Sequence, residues 1–249
     1  MLNYIKYDIF KKPLCLAKTY DHSATKTPKL TIIFLHGIAS DSRIYHNTIK
    51  FLAGTSSLKC ARFIAFDLLG HGKSYSSHKL NYSYNEQLTA LSTAIKKANI
   101  KTPIIIVGHS LGTLIATKYA ELHKKSVAKL ILLSPPAFTR ADIKALSTGP
   151  NLFLQKMPAK TQAMPAFKKS LTNIALNITN YKTFENLTTN TAIIYDSCDL
   201  FISGKNLQIL AKTNPKYLEL IETSGKHHID RSKYVKILAV LEKYIHETI

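Results

Sequence analysis

The sequence predicts an α/β protein: a doubly wound, mostly parallel sheet with a small helical cap inserted late in it. Three observations carry that expectation. From residue 30 onward, apolar runs of strand length alternate with longer stretches of helical spacing, the rhythm of parallel strands joined by right-handed crossover helices. Runs such as "LTIIFL" (30–35) and "IIIV" (104–107) are continuously apolar, as strands covered on both faces are. The alternation breaks once, between Ser134 and about Thr189, over a length too great for an ordinary loop.

Taken in order, "LNYIKYDI" (2–9) and "LCLAKTY" (14–20) read as two strands joined by "FKKP", an opening hairpin. The strand 30–35 follows, then a helix over 43–53, the strand "ARFIAF" (61–66) and a helix over 84–98. After "IIIV" comes a helix over 111–123, where Leu111, Leu114, Ile115, Tyr119 and Leu122 keep the i, i+3, i+4 spacing of one buried face. The strand "VAKLILL" (127–133) closes the first part. The interrupting segment holds five of the nine prolines and reads as a partly helical cap over 135–189, leaving 1–134 and 190–249 as the core domain. Its Leu152, Phe153, Leu154, Met157, Met164 and Phe167 face either a site beneath the cap or, for most of them, the body on which it packs. The rhythm then resumes with "TAIIY" (191–195), a helix over 203–213, "YLELI" (217–221) and a last helix over 231–247 that buries Ile237, Leu241, Tyr244 and Ile245.

With 249 residues, 45% of them hydrophobic, the chain can bury one large core. No apolar run reaches the length of a membrane span, and Asn3, Lys6 and Asp8 interrupt the start where a secretory signal would be apolar, so a cytoplasmic location is expected. Cys15, Cys60 and Cys198 are odd in number and far apart, which reads as reduced thiols. The formal charge of +19 attracts anions at long range, but the cations are scattered lysines with arginine only at 43, 62, 140 and 231. Neither a basic tail nor an arginine cluster suits a nucleic-acid groove, so no specific nucleic-acid partner is expected. Weak association with an anionic lipid surface, or an anionic substrate, is the remaining use of the charge.

In an open parallel sheet, ligands bind beyond the carboxyl ends of the strands, so chemistry should follow strands. The clearest candidate is "VGHSLG" (107–112), where Ser110 stands between two glycines as a strand gives way to a helix. Gly-x-Ser-x-Gly by itself arises by chance in roughly one such chain in ten. Its setting matters more: a serine on a sharp strand-to-helix turn projects its hydroxyl above the sheet, next to the free N–H groups of the helix. A hydroxyl needs a base to take its proton, and the base needs a third group to orient it. After "TAIIY" come Asp196 and Asp199; after "YLELI" come His227 and His228. The order serine, acid, histidine is the one this turn requires. The loop "FLHGIAS" (34–40) follows another strand, so the N–H groups of Ile38 and Leu111 are the candidate oxyanion donors. His36 and His71 suit hydrogen bonds to backbone, Asp67 suits pinning its own turn, His109 suits a supporting wall, and Cys198 reads as a structural thiol.

"HG" after one strand, "DLLGHGKS" (67–74) after the next, "GHSLG" at the turn and late Asp and His together resemble the alpha/beta-hydrolase superfamily of serine esterases and lipases. The resemblance covers nearly the whole chain in the right order, with the cap where that family carries its lid. It implies a cofactor-free and metal-free serine hydrolase acting on a small-molecule ester of small to medium acyl chain, as a carboxylesterase or monoacylglycerol lipase does. It equally admits thioester, amide or carbon–carbon cleavage on the same triad. Two departures matter. Where the family has a Gly-x-x-Asp turn, this chain has "DSCD", which favours Asp199 as the acid with Asp196 as a turn residue; Asp196 is the alternative acid. Where it has Gly-His, this chain has "GKHH"; counting back from the last helix favours His227, with His228 as the alternative base. Those departures also support a rival, a silent ligand-binding module on the same fold. A metal held by His227, His228 and Asp230 is disfavoured, since adjacent loop histidines rarely converge on one ion.

Overall fold

The computed structural model describes residues 13–139, 141–144, 165–175, 180–199, 202–224, 227 and 229–248. Seven strands form one sheet in the order β1-β3-β2-β4-β5-β6-β7. They are β1 Ala17–Ser23, β2 Leu30–Leu35, β3 Ala61–Asp67, β4 Ile104–His109, β5 Val127–Leu133, β6 Thr191–Tyr195 and β7 Leu218–Glu222. β1 pairs antiparallel with β3, and every other pairing is parallel. The doubly wound sheet is therefore as the sequence predicts. The expected strand over 2–9 and most of its hairpin lie outside the described residues. The strand expected over 14–20 starts later, because Leu14 and Leu16 are buried against the helical layer and the Leu16 N–H donates to Ala90 O at 3.2 Å instead of joining the sheet.

Among the described residues the helices include α1 His46–Ala53, α2 Tyr84–Lys97, α3 Leu111–Leu122, α4 Pro165–Ser170, α5 Asn180–Glu185, α6 Gly204–Thr213 and α7 Arg231–Thr248. Because side chains alternate across a strand, β2 sends Ile33 and Leu35 to one face and Leu30, Ile32 and Phe34 to the other. The first face is covered by α2, α3 and α6 through Leu88, Leu91, Leu114, Ile115, Leu207 and Leu210. The second is covered by α1 and α7 through Ile49, Leu52, Ile237, Val240 and Leu241. α2 starts where Ser83 accepts from the Glu86 N–H while Glu86 accepts from the Ser83 N–H at 2.9 Å, a reciprocal cap that fixes its N-terminus.

From β2 the chain crosses to β3 on one side, and β4 then pairs with β2 on the other. The order reverses there, so loops leaving the carboxyl ends of β2 and β4 diverge and open a crevice. The "HG" loop and the "GHSLG" turn are those two loops.

Within the expected cap, α4 packs on the 67–74 turn: a Cβ on Gly70 would stand 2.3 Å from the Ala166 Cβ. The Lys169 ammonium donates to His78 O and Leu80 O at 2.7 Å each, and Asn173 donates to Asn81 O at 2.7 Å. Phe167 is fully buried. Leu152, Phe153, Leu154, Met157 and Met164 lie outside the described residues. Among the described residues, no helix is long and apolar enough to cross a membrane.

Candidate active site

Ser110 is the single residue between β4 and α3, with φ 48° and ψ −117°, in the left-handed region that non-glycine residues seldom occupy. Such a conformation costs on the order of 1–3 kcal/mol and persists only where the surroundings enforce it. Here the Ser110 N–H donates to Leu133 O at 2.9 Å, and its carbonyl accepts from the Thr113 N–H at 3.0 Å and the Thr113 hydroxyl at 2.5 Å. Packing adds to the constraint. A Cβ on Gly108 would meet Gly112 O at 2.8 Å, and one on Gly112 would meet Leu35 O at 2.2 Å. Strand and helix thus pass at a separation that only glycine allows. Leu111 opens α3, so its N–H is among the helix-terminal donors with no acceptor in the preceding turn.

The loop after β2 lies directly against this turn: a Cβ on Gly37 would stand 3.1 Å from Ser110 Cβ. Ile38 follows Gly37 in this loop. Two buried histidines hold the loop. The Leu68 N–H donates to His36 Nε2 at 2.9 Å, while His36 Nδ1–H donates to Gly37 O at 2.7 Å. The Ala39 N–H donates to His71 Nε2 at 3.2 Å, while His71 Nδ1–H donates to Leu69 O at 3.0 Å. Each ring needs one bare nitrogen and one N–H, the neutral tautomer. Burial, followed by the neighbouring His71, brings His36 down to about 4; burial also lowers His71. Asp67 ties the same region together, accepting from the Ser42 N–H at 2.8 Å and the Lys73 N–H at 2.7 Å. Gln87, which the sequence did not mark, clasps Leu69 from α2 through its N–H and carbonyl at 3.0 and 3.3 Å.

On the far side, Asp196 folds into its own turn: Oδ1 accepts from the Cys198 N–H at 2.7 Å and its carbonyl accepts from the Asp199 N–H at 3.1 Å. The Cys198 thiol is exposed and free, so its contribution there is its backbone, a correction to its reading as a structural thiol. The Asp199 carboxylate is fully buried, and its Oδ2 lies 2.8 Å from His227 Nδ1. The structure therefore brings Asp199 and His227 together and turns Asp196 away into a loop. His228 lies outside the described residues.

His109 joins the two halves. Its Nε2–H donates to His227 O at 2.8 Å, and the two rings pack with centroids 4.9 Å apart. As His109 precedes Ser110, this contact brings the His227 loop to the turn. Burial, then the charge of His227, pushes His109 down to about 3, so it stays neutral. The 118 positions separating the two residues hide this contact from any local pattern. Among the described residues, no group of three or more His, Cys, Asp or Glu side chains is arranged to hold a metal. An open cleft of about 370 Å³ beside Tyr20, Ser42, Arg43 and Lys73 includes neither Ser110 nor His227.

Residues 31–166 match the family model described as the alpha/beta hydrolase fold. The chain belongs to the alpha/beta-hydrolase family. Among solved structures, this alpha/beta hydrolase is similar to an esterase from Exiguobacterium antarcticum, with a TM-score of 0.69 at 18% identity over 91% of this chain and 94% of the other, a likeness of fold. In sequence it is 34% identical over 125 residues to "Probable lysophospholipase BODYGUARD 5" of Arabidopsis thaliana, covering 50% of this chain and 28% of that protein. It is 27% identical over 158 residues to "Protein phosphatase methylesterase 1" of Candida albicans, covering 62% of this chain and 40% of that one. The chain thus spans about a quarter to two fifths of the length of these curated relatives.

Proposed function

We propose that this alpha/beta hydrolase is a serine esterase whose Ser110, His227 and Asp199 form a catalytic triad. The strained, glycine-flanked Ser110 carries the reading, supported by the 2.8 Å contact between Asp199 and His227. With Nδ1 on the carboxylate, His227 has Nε2 as the nitrogen that takes the Ser110 proton while the hydroxyl attacks an ester carbonyl. Asp199 stabilises the imidazolium, and the Ile38 and Leu111 N–H groups hold the oxyanion. His227 returns the proton to the departing alcohol, and water repeats the steps on the acyl-enzyme. Residues 135–189 act as the cap over the acyl chain. Small to medium carboxylic esters, including monoacylglycerol-like and lysophospholipid-like ones, are the substrate class; the names of the plant and yeast relatives support the ester chemistry. The free cysteines are in keeping with a reducing, cytoplasmic setting, and the charge of +19 with weak attraction to anionic lipid.

A fluorophosphonate probe tests the assignment. Wild type is expected to be labelled rapidly at Ser110 and to hydrolyse an activated short-chain ester, and Ser110→Ala to do neither beyond a residual rate. Equal hydrolysis by wild type and Ser110→Ala refutes the assignment; an unlabelled wild type supports the silent binding module. An ester screen run with anionic and neutral head groups at low and high salt then tests the charge, and salt-insensitive, equal turnover removes it from the account.

A further inference from the structure

His109 stands immediately before Ser110, and its buried imidazole meets two other parts of the site. Toward the base, Nε2 lies 2.8 Å from His227 O, and the two rings pack with centroids 4.9 Å apart. Toward the loop after β2, a Cβ on Gly37 would stand 3.0 Å from His109 Nδ1 and 3.1 Å from Ser110 Cβ. One ring thus borders both the His227 loop and the Gly37–Ile38 loop, while its own backbone continues into Ser110. A carbonyl can only accept, so Nε2 carries the ring hydrogen. Nδ1 is buried and makes no hydrogen bond among the described residues. The polar contact of this ring is therefore the one it gives to the His227 backbone.

His227 is held at two points, each at 2.8 Å: Asp199 at Nδ1 and His109 at the backbone carbonyl. The first bond sets the rotation of the ring, and the second sets where the residue stands relative to Ser110. The base of the same loop is closed independently, since the Thr223 N–H donates to Tyr195 O at 2.8 Å and the Ser232 hydroxyl donates to Ser224 O at 2.7 Å. Loss of the His109 bond should therefore shift His227 without unfolding its loop. A carbon in the place of Nε2 approaches an oxygen only to about 3.3–3.6 Å, so from its present 2.8 Å the carbonyl would retreat by roughly 0.5–0.8 Å. It would also lose its buried donor. An error of ~1 Å between reacting groups costs about 10²-fold in rate.

We propose that His109 is a positioning residue for the acid–base pair: its Nε2–H, bonded to the backbone carbonyl of His227, sets the spacing between the base and Ser110. This rests on the triad reading above. The experiment compares wild type with His109→Gln, His109→Asn and His109→Phe, each checked for a folded melting transition, by the rate of fluorophosphonate labelling of Ser110 and by kcat and KM on an activated short-chain ester. Glutamine carries its amide N–H as many bonds from Cα as His109 carries Nε2, whereas asparagine carries its own at the distance of Nδ1, and phenylalanine keeps the ring without a donor. His109→Gln is expected to label and turn over within a few-fold of wild type. His109→Phe and His109→Asn are expected to lose about 10- to 100-fold in labelling and kcat, with KM little changed. A ring that only fills space predicts the opposite order, phenylalanine best and both amides worst. His109→Phe as fast as His109→Gln, or His109→Gln as slow as His109→Phe, overturns the proposal. Should His109→Phe not fold, the two amides decide: a faster His109→Gln supports the bond, and equal rates overturn it. If wild-type Ser110 is not labelled at all, the triad reading fails and this inference falls with it, an outcome distinct from a labelled enzyme indifferent to the donor at position 109.

Discussion

Gly112→Ala is the sharpest test of how the Ser110 turn is held. The added Cβ would stand 2.2 Å from Leu35 O and 2.6 Å from His36 O. Ordinary contact begins near 3.4 Å, so the start of α3 must retreat from β2 by roughly 1 Å, and both acceptors are backbone atoms that no side-chain rotation relieves. Overpacking of this kind costs about 1–3 kcal/mol. For a domain of this size each kcal/mol lowers Tm by about 2–4 °C. Function should suffer more than stability. The retreat separates Ser110 and the Leu111 N–H from the Gly37–Ile38 loop, and a misplacement of ~1 Å costs about 10²-fold in rate. Gly54→Ala is the control: Gly54 has φ −77° and its added Cβ would lie 3.3 Å from the nearest atom, Lys50 O. It should change Tm by at most a degree or two. Thermal melts together with labelling rates measure both effects. A Gly112→Ala protein that melts and labels like wild type would show that strand and helix are not wedged together, and the account of the strained serine would fail.

Asp199→Asn should lower kcat by about 10³- to 10⁴-fold, since an amide cannot hold His227 in the tautomer that leaves Nε2 basic, while Asp196→Asn should cost less than about tenfold; steady-state kinetics showing the reverse order would exchange the two roles. Stability should fall with acid through the buried histidines. His36 is depressed from 6.5 to about 4 and His109 to about 3, so the unfolded chain binds protons below 6.5 that the folded one refuses. Their contribution is complete above pH 6.5 and is lost as pH falls toward 4, at about 1.4 kcal/mol per pH unit for each ring. Urea unfolding at pH 7, 6 and 5 measures the slope, and a flat stability between 7 and 5 would refute neutral burial of these rings. The lowered carboxyls of Asp21, Asp41, Asp142 and Asp230 act only below their usual 3.8, outside that window.

Local pattern carried much of the architecture. The continuous apolar runs at 30–35 and 104–107 are strands buried on both faces, because a strand covered by helices on each side has no polar position to reveal its alternation. Helices over 84–97 and 111–122 follow their i, i+3, i+4 spacing to within a residue of expectation. The boundary near Leu14 and Leu16 was not legible, since an apolar pair reads alike whether it enters a sheet or packs beneath a helix.

The sequence by itself determined the doubly wound sheet, the turn that carries Ser110, and the backbone-bonding roles of His36, His71 and Asp67, because each depends on residues close in the chain or on the period of one element. Only the tertiary structure decided how distant loops meet. It brought Asp199 to His227, turned Asp196 into its own loop, hung the His227 loop on His109 across 118 positions and buried Lys233 at the start of α7. Nothing in a lysine's neighbours along the chain says whether its side chain ends in water or inside the fold. That depends on which loops the sheet order places beside it, a property of packing and not of spacing.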